Sequence, residues 1–301
     1  MRANSIRSML LPLDGSAFAE QALPWAALIA RKAHARLRLA LVHQAPAPLP
    51  ADRRSRQLYT RVELALRKSE RDYLRGVAAR MREEGKLQLA TAVLEAPPAP
   101  AIAAYVREIG VDLVVMTTHG RGGLERAWLG SVADHLVRTL ETPILLIRPT
   151  EGAVSPPAAG DLLVPLDGSP RAEAALPPAM TVAGLLGASV TLLQAVAPAV
   201  PDALTRADDE LSAIRRQEAR DYLNGVAERV RAGGIAAKPV AVLAPNPLEA
   251  IRAAARAAEV GMIALATHGR GGLRRMVLGS VADKLVRTSE LPVLVTRPRA
   301  R

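Results

Sequence analysis

The chain predicts two tandem α/β units, each an open parallel sheet of five strands with helices on both faces. Three observations carry this. A stretch of 22 residues occurs twice, Thr118–Thr139 and Thr267–Thr288, with four positions different, and 301 residues suffice for two cores. Apolar runs of strand length alternate with segments of helical period through each half. Those runs are apolar at nearly every position, as strands covered on both faces are. The predicted division is 1–150, a linker at 151–160, and 161–301.

In order, Ser8–Leu13 reads as a strand ending at Pro12-Leu13-Asp14-Gly15-Ser16, and Leu162–Leu166 as its copy, ending at Pro165-Leu166-Asp167-Gly168-Ser169. Asp-Gly stops the strand, a serine can cap the next helix, and Pro170 suits a first helical position. Helices are expected over Ala17–Lys32 and Pro170–Leu186. Leu37–His43 and Val190–Val196 are second strands with one polar residue each well inside, Arg38 and Thr191. Long helices follow, with Tyr73, Leu74, Val77 and Met81 at helical spacing (Tyr222, Leu223, Val226 and Val230 in the copy), stopped by Gly85 and Gly233. Third strands at Leu87–Leu94 and Ala237–Leu243, helices after Pro98 and Pro247, and fourth strands at Asp112–Met116 and Met262–Ala266 lead into the repeated stretch. Fifth strands lie between Pro143 and Pro149 and between Pro292 and Pro298; Glu151–Gly160, rich in Ala, Pro and Gly, is the linker.

Composition narrows the function. No apolar run approaches the ~18–20 residues of a membrane span, and Met1–Arg7, polar and basic, is not expected to open an export signal. There is no cysteine, hence no disulfide framework and no thiolate metal site. A cytoplasmic protein without a membrane partner is expected. The net charge of +11 invites a nucleic-acid reading. However, basic residues interleave with acids, as in Arg67-Lys68-Ser69-Glu70-Arg71-Asp72, and only seven aromatic residues could stack on bases. Specific nucleic-acid binding is not expected.

The repeated stretch carries the chemistry. A buried strand feeds His119-Gly120-Arg121-Gly122-Gly123, then Leu129-Gly130-Ser131-Val132 opens a helix. The copy is His268-Gly269-Arg270-Gly271-Gly272, then Leu278-Gly279-Ser280-Val281. Strand, glycine turn and helix N-terminus in that order make a seat for phosphate, because glycines allow close approach and first-turn N–H groups point at the anion. Phosphate on the amides of Gly130, Ser131 and Val132 would gain roughly 0.3–1 kcal/mol per charge interaction with the helix dipole. Arg121 can pair a second phosphate, and a carboxylate such as Asp14 suits ribose hydroxyls. In an open parallel sheet, Asp14 and Gly120 share one crevice at the carboxyl ends of the strands.

Competing readings exist. Ser131 with Asp134 is also a capping box that needs no ligand, and Asp134 beside phosphate would call for a cation. No Walker-type Gly-Lys-Ser/Thr occurs. His119 and His268 read as turn or packing residues, having no ligand or triad partner at the required spacing. His34, His43 and His135 have no counterpart in the copy and read as incidental; Trp25, Trp128, Tyr73 and Tyr222 read as packing residues.

Thr-His-Gly-Arg-Gly-Gly, Leu-Gly-Ser-Val-Ala-Asp and Thr-Pro-Ile-Leu-Leu-Ile-Arg in order, with Pro-Leu-Asp-Gly-Ser near the start, resemble the universal stress protein family, and the resemblance covers both halves. It implies a Rossmann-like sheet of order 3-2-1-4-5 in each half and pairing through fifth strands, within one chain or in a homodimer. It implies ATP, with or without Mg, in the subgroup carrying Gly-x2-Gly-x9-Gly-Ser/Thr. On that resemblance Pro12, Leu13, Asp14, Pro165, Leu166 and Asp167 lie at the ribose or adenine end, and Val42 and Ala195 border the adenine. Met116 and Leu265 line the pocket, while Gly120, Arg121, Gly123, Gly130, Ser131 and Val132 hold phosphates, with Gly269, Arg270, Gly272, Gly279, Ser280 and Val281 as copies. One departure stands out: the first glycine of the pattern is Thr117 here and Ala266 in the copy. If that glycine is needed for a positive φ or a tight approach to the nucleotide, both sites are weakened, and Thr117 more so because it is β-branched. The expected function is an ATP-binding stress-response sensor or regulator with an unidentified protein partner. The alternatives are a slow ATPase or nucleotidyl transferase, and a ligand-free interaction module.

Overall fold

The apolar runs become strands. A computed structural model describes residues 5–47, 52–119, 129–150, 160–198, 206–258, 260–267 and 279–298. In the first half β1 is Ser8–Leu13, β2 Arg36–Val42, β3 Gln88–Leu94, β4 Leu113–Thr117 and β5 Ile144–Ile147. In the second, β6 is Leu162–Pro165, β7 Val190–Val196, β8 Ala237–Leu243, β9 Met262–Ala266 and β10 Val293–Thr296. All four residues of β5 and of β10 are buried, as are the five of β4.

The first expected helix of each half is interrupted. A short α1 (Ala17–Glu20) stops before α2 (Leu23–Ala33), and in the copy a 3-10 turn (Ala172–Ala175) precedes α6 (Leu176–Leu186). The cause is Pro24, and in the copy Pro177 and Pro178. A proline lacks the N–H that would continue the ladder and clashes with the carbonyl a turn earlier, so a new helix starts there instead. The other helices follow the expected periods: α3 (Arg53–Glu83), α4 (Pro98–Glu108), α5 (Ser131–Thr139), α7 (Arg206–Ala232), α8 (Pro247–Ala257) and α9 (Ser280–Thr288).

Each half has strand order 3-2-1-4-5, and the two sheets merge into one of ten strands, β3-β2-β1-β4-β5-β10-β9-β6-β7-β8. The merger is antiparallel, Val293 opposite Leu146 and Val295 opposite Ile144, while neighbours within each half are parallel. The fifth strands therefore pair within the chain. Because that junction reverses direction, the carboxyl edges of the two halves lie on opposite edges of the sheet. One core, including Leu11, Trp25, Leu74, Leu192 and Leu223, packs α2, α3, α6 and α7 on one face; the other, including Val114, Leu136, Ile263 and Leu285, packs α4, α5, α8 and α9 on the second.

Candidate functional site

The carboxyl end of β1 is shaped by its Asp-Gly turn. Gly15 and Gly168 take φ of +84° and +80°, a region that favours glycine. The turn folds Asp14 onto the next helix: its Oδ1 accepts from the Ser16 N–H at 2.9 Å and the Ser16 hydroxyl at 2.6 Å. Asp167 accepts from the Ser169 N–H at 2.9 Å. Ser16 Oγ and Ser169 Oγ in turn accept from the amides of Ala19 and Ala172, both at 3.1 Å. Both carboxylates thus stand at strand ends, part-exposed, with one oxygen fixed by the turn. The helix starts are anchored farther along: the Tyr73 hydroxyl donates to Glu20 and Tyr222 to Glu173, each at 2.9 Å. Tyr73 and Tyr222 are thus packing residues with a polar hook.

The N-termini of α5 and α9 decide between the two readings of the Gly-Ser pair. The N-cap is Gly130 or Gly279, Ser131 and Ser280 are the first helical residues, and no side chain caps either helix. The capping box is therefore not formed. Asp134 turns away, accepting from Arg138 Nε at 2.8 Å and facing Arg287 of the other half at 3.3 Å. Arg287 also holds Asp283 at 2.9 Å, and Arg138 lies 4.0 Å from Asp283, closing a square of charges between the halves. Asp134 is held below the usual carboxylate range chiefly by the Arg138 hydrogen bond, against its own desolvation.

Gly130 does not offer its own N–H as expected. That amide donates to the Thr118 carbonyl at 2.8 Å, and Gly279 donates likewise to Thr267 at 2.8 Å. A Cβ at Gly130 would lie 2.9 Å from the Thr118 oxygen. Glycine there lets the helix start dock on the end of β4, which leaves the exposed Ser131 and part-exposed Val132 as first-turn donors, with Ser280 and Val281 as copies.

The remaining expected residues fall into three groups. Pro12, Val42, Pro165, Ala195 and Ala266 are part-exposed at strand ends, where a ligand could touch them. Leu13, Met116, Leu166 and Leu265 are core residues, 4–7% exposed, and support the site from below. Gly120, Arg121, Gly123, Gly269, Arg270 and Gly272 lie outside the described residues, as do His268 and Trp128. Thr117 is unstrained: neither it nor Ala266 has positive φ. The Thr117 hydroxyl donates to the His119 carbonyl at 2.6 Å, bracing the start of the turn.

His119 lies 3.1 Å from the Thr118 hydroxyl through Nδ1, while its buried Nε2 has no hydrogen-bond partner among the described residues. Desolvation first, and Arg148 second, push its imidazole below the usual histidine range. Arg148 belongs to a reciprocal pair: its Nη1 donates to the Thr288 carbonyl closing α9 (3.4 Å), and Arg297 to Thr139 closing α5 (3.1 Å). A cation at a helix C-terminus is favoured by the dipole. Neither contact is visible in sequence, since the partners lie 140 and 158 residues apart.

His43 is not incidental. It is 5% exposed just beyond β2, with Nδ1 2.8 Å from Glu70 and Nε2 3.0 Å from Glu63 on α3. Among the described residues, no cluster of His, Asp and Glu could hold a metal ion, and no helix is long and apolar enough to cross a membrane.

This arrangement, twice over, is matched by a known family. The sequence profile of the universal stress protein family covers residues 5–148 and again 160–297. The chain belongs to the universal stress protein family. Among curated relatives, universal stress protein Rv1996 of Mycobacterium tuberculosis is 26% identical over 308 residues, 96% of this chain and 94% of the relative. Rv2005c of the same organism is 28% identical over 219 residues, 70% of each. A solved universal stress protein from Archaeoglobus fulgidus superposes with a TM-score of 0.69 over 99% of both chains at 20% identity, which speaks for the fold.

Proposed function

We propose that each half binds one ATP at the carboxyl edge of its strands and that the chain is a cytoplasmic stress-response regulator, working through nucleotide-dependent conformation. The reading takes 1–150 and 161–301 as the binding units, with 151–160 between them. The observation that carries it is the pair of helix starts without a side-chain cap, Ser131-Val132 and Ser280-Val281, beside Asp14 and Asp167 at the ends of β1 and β6. Uncapped first-turn amides with the helix dipole behind them favour phosphate. Asp134 and Asp283 are drawn to arginines, so the carboxylate that would repel phosphate is already neutralised. In this reading Ser131, Val132, Arg121 and the turn glycines take the phosphates, Asp14 the ribose and Val42 the base, with Ser280, Val281, Arg270, Asp167 and Ala195 as counterparts. A Mg ion, where present, would ride on the phosphates.

ATP would order the glycine turns and shift the surface shown to a protein partner, a change of population rather than of bonds. Heating the full chain with ATP tests this. Free ATP at about a hundred times its dissociation constant should stabilise by about 2.7 kcal/mol per site. An unchanged melting temperature at millimolar ATP, ADP and AMP would reject the reading.

A further inference from the structure

We propose that the first half carries a proton-operated latch, absent from the second, in which imidazolium His43 pins the amino-terminal half of α3 onto the carboxyl edge of the sheet. The helix is 31 residues long, yet its fully buried residues begin at Leu74. From Arg53 to about Glu70 it overhangs β2 and β3, so Arg53–Val62 reaches about 15 Å past the His43 contact at helical rise. What holds the overhang down is ionic. His43 sits between Glu70 (2.8 Å) and Glu63 (3.0 Å); Arg67 Nε holds Glu63 at 2.7 Å, and Arg67 Nη1 reaches Glu95, just past β3, at 2.5 Å.

Among the described residues, these are the charged groups that face His43, from α3 and from the β3–α4 loop. With the ring protonated, Nδ1 donates to Glu70, Nε2 lies at ion-pair distance from Glu63 without a hydrogen bond to it, and two cations meet three carboxylates. When the ring loses its proton to solvent, one nitrogen presents a lone pair to a carboxylate at about hydrogen-bond distance, and the cluster keeps one cation against three anions. Burial sharpens that mismatch, since the His43 side chain is 3% exposed and those of Glu63 and Glu70 are 18% and 17%. Loss of the ring proton should therefore unlatch the first half, while Glu63 and Glu95, both held below the usual carboxylate range first by their Arg67 hydrogen bonds, keep the clasp ionised in mild acid.

The second half supplies the control. Aligning Tyr73 with Tyr222, Leu94 with Leu243 and, by their registers on β1 and β6, Val42 with Ala195 puts Val196, Ser212, Ala219 and Ala244 where His43, Glu63, Glu70 and Glu95 stand. All four ionic partners are replaced together by uncharged residues. Ser212 and Ala219 are 7% and 4% exposed, so α7 lies directly on the edge. The latch is independent of the nucleotide reading and needs no ligand to be tested.

Hydrogen exchange on the full chain, corrected for the intrinsic pH dependence of amide exchange, separates the outcomes. Between pH 5.5 and pH 9, amides of residues 56–69 should lose about tenfold protection, the scale of one charge-assisted contact, while those of 209–218 stay constant. His43→Ala should leave 56–69 unprotected at both pH values. His43→Lys should restore protection without the pH response, and Glu63→Gln/Glu70→Gln should remove the response with the core intact. Equal protection at both pH values, or the same change in α7, would overturn the latch.

Discussion

In the first half, α3 crosses the sheet edge on ion pairs from His43, Arg67 and three glutamates; in the second, α7 crosses on Ser212 and Ala219, both buried. The same contrast recurs at the other end of the strands. Asp112 accepts from the Arg7 and Ser8 amides at 2.8 and 2.9 Å, whereas its counterpart Gly261 meets the backbone of Gly160, with room for a Cβ only 3.1 Å from the Gly160 Cα. Between these edges the halves agree: Asp-Gly turns, uncapped α5 and α9, and tyrosine hooks on Glu20 and Glu173. What is shared clusters where phosphate and ribose would sit, and what differs lies around it. Duplication with retention of the proposed site and drift of its surroundings would leave this pattern.

The contrast can be broken at several points, the largest first. Trp25 is 2% exposed and lines a cavity of about 140 Å³ between α2 and the β6–β9 edge; its counterpart Pro178 lines one of about 450 Å³ at the first half's edge. Trp25→Ala should cost about 3–5 kcal/mol in urea unfolding, and Pro178→Ala less than about 1 kcal/mol. Next come the helix-start glycines. A Cβ at Gly130 meets the Thr118 oxygen at 2.9 Å, against 3.4 Å from Thr267 at Gly279. Gly130→Ala should therefore destabilise by about 1–3 kcal/mol and weaken nucleotide binding in the first half, with Gly279→Ala costing less than about 1 kcal/mol.

The smallest effect belongs to the charge square joining the halves. Its side chains are 20–31% exposed, so solvent screening limits Arg287→Ala to about 0.5–1 kcal/mol, shrinking further in high salt. The depressed Asp134 carboxylate fixes the sign with pH: its contribution is complete above the unfolded carboxylate range and fades as pH falls through its lower folded value. An Arg287→Ala penalty that grew below pH 4 would contradict this.

Much of the fold was legible because strand burial writes itself as local apolar runs: β1, β7, β8 and β9 begin and end where those runs do. The breaks at Pro24 and Pro177 were legible in principle, since each proline stands inside an expected helix. The competing capping-box reading of Ser131 fails because Ser-x-x-Asp describes local spacing, while the helix start is set by Gly130 docking on Thr118, a contact across the glycine turn. His43 and its glutamates were missed for a related reason: residues 20 and 27 positions apart meet only after β2 and α3 are packed. Whether the fifth strands pair within a chain or between chains was equally hidden, since either β5 or β10 presents the same short apolar edge.

In the proposed function the chain holds two equivalent phosphate seats, one at each edge of the ten-stranded sheet. Native mass spectrometry of the full chain, stripped of ligand and titrated with ATP, measures this directly. Two nucleotide equivalents per chain, reduced to one by Gly130→Ala, are the predicted result; no adduct at millimolar ATP, or binding indifferent to that substitution, would contradict it.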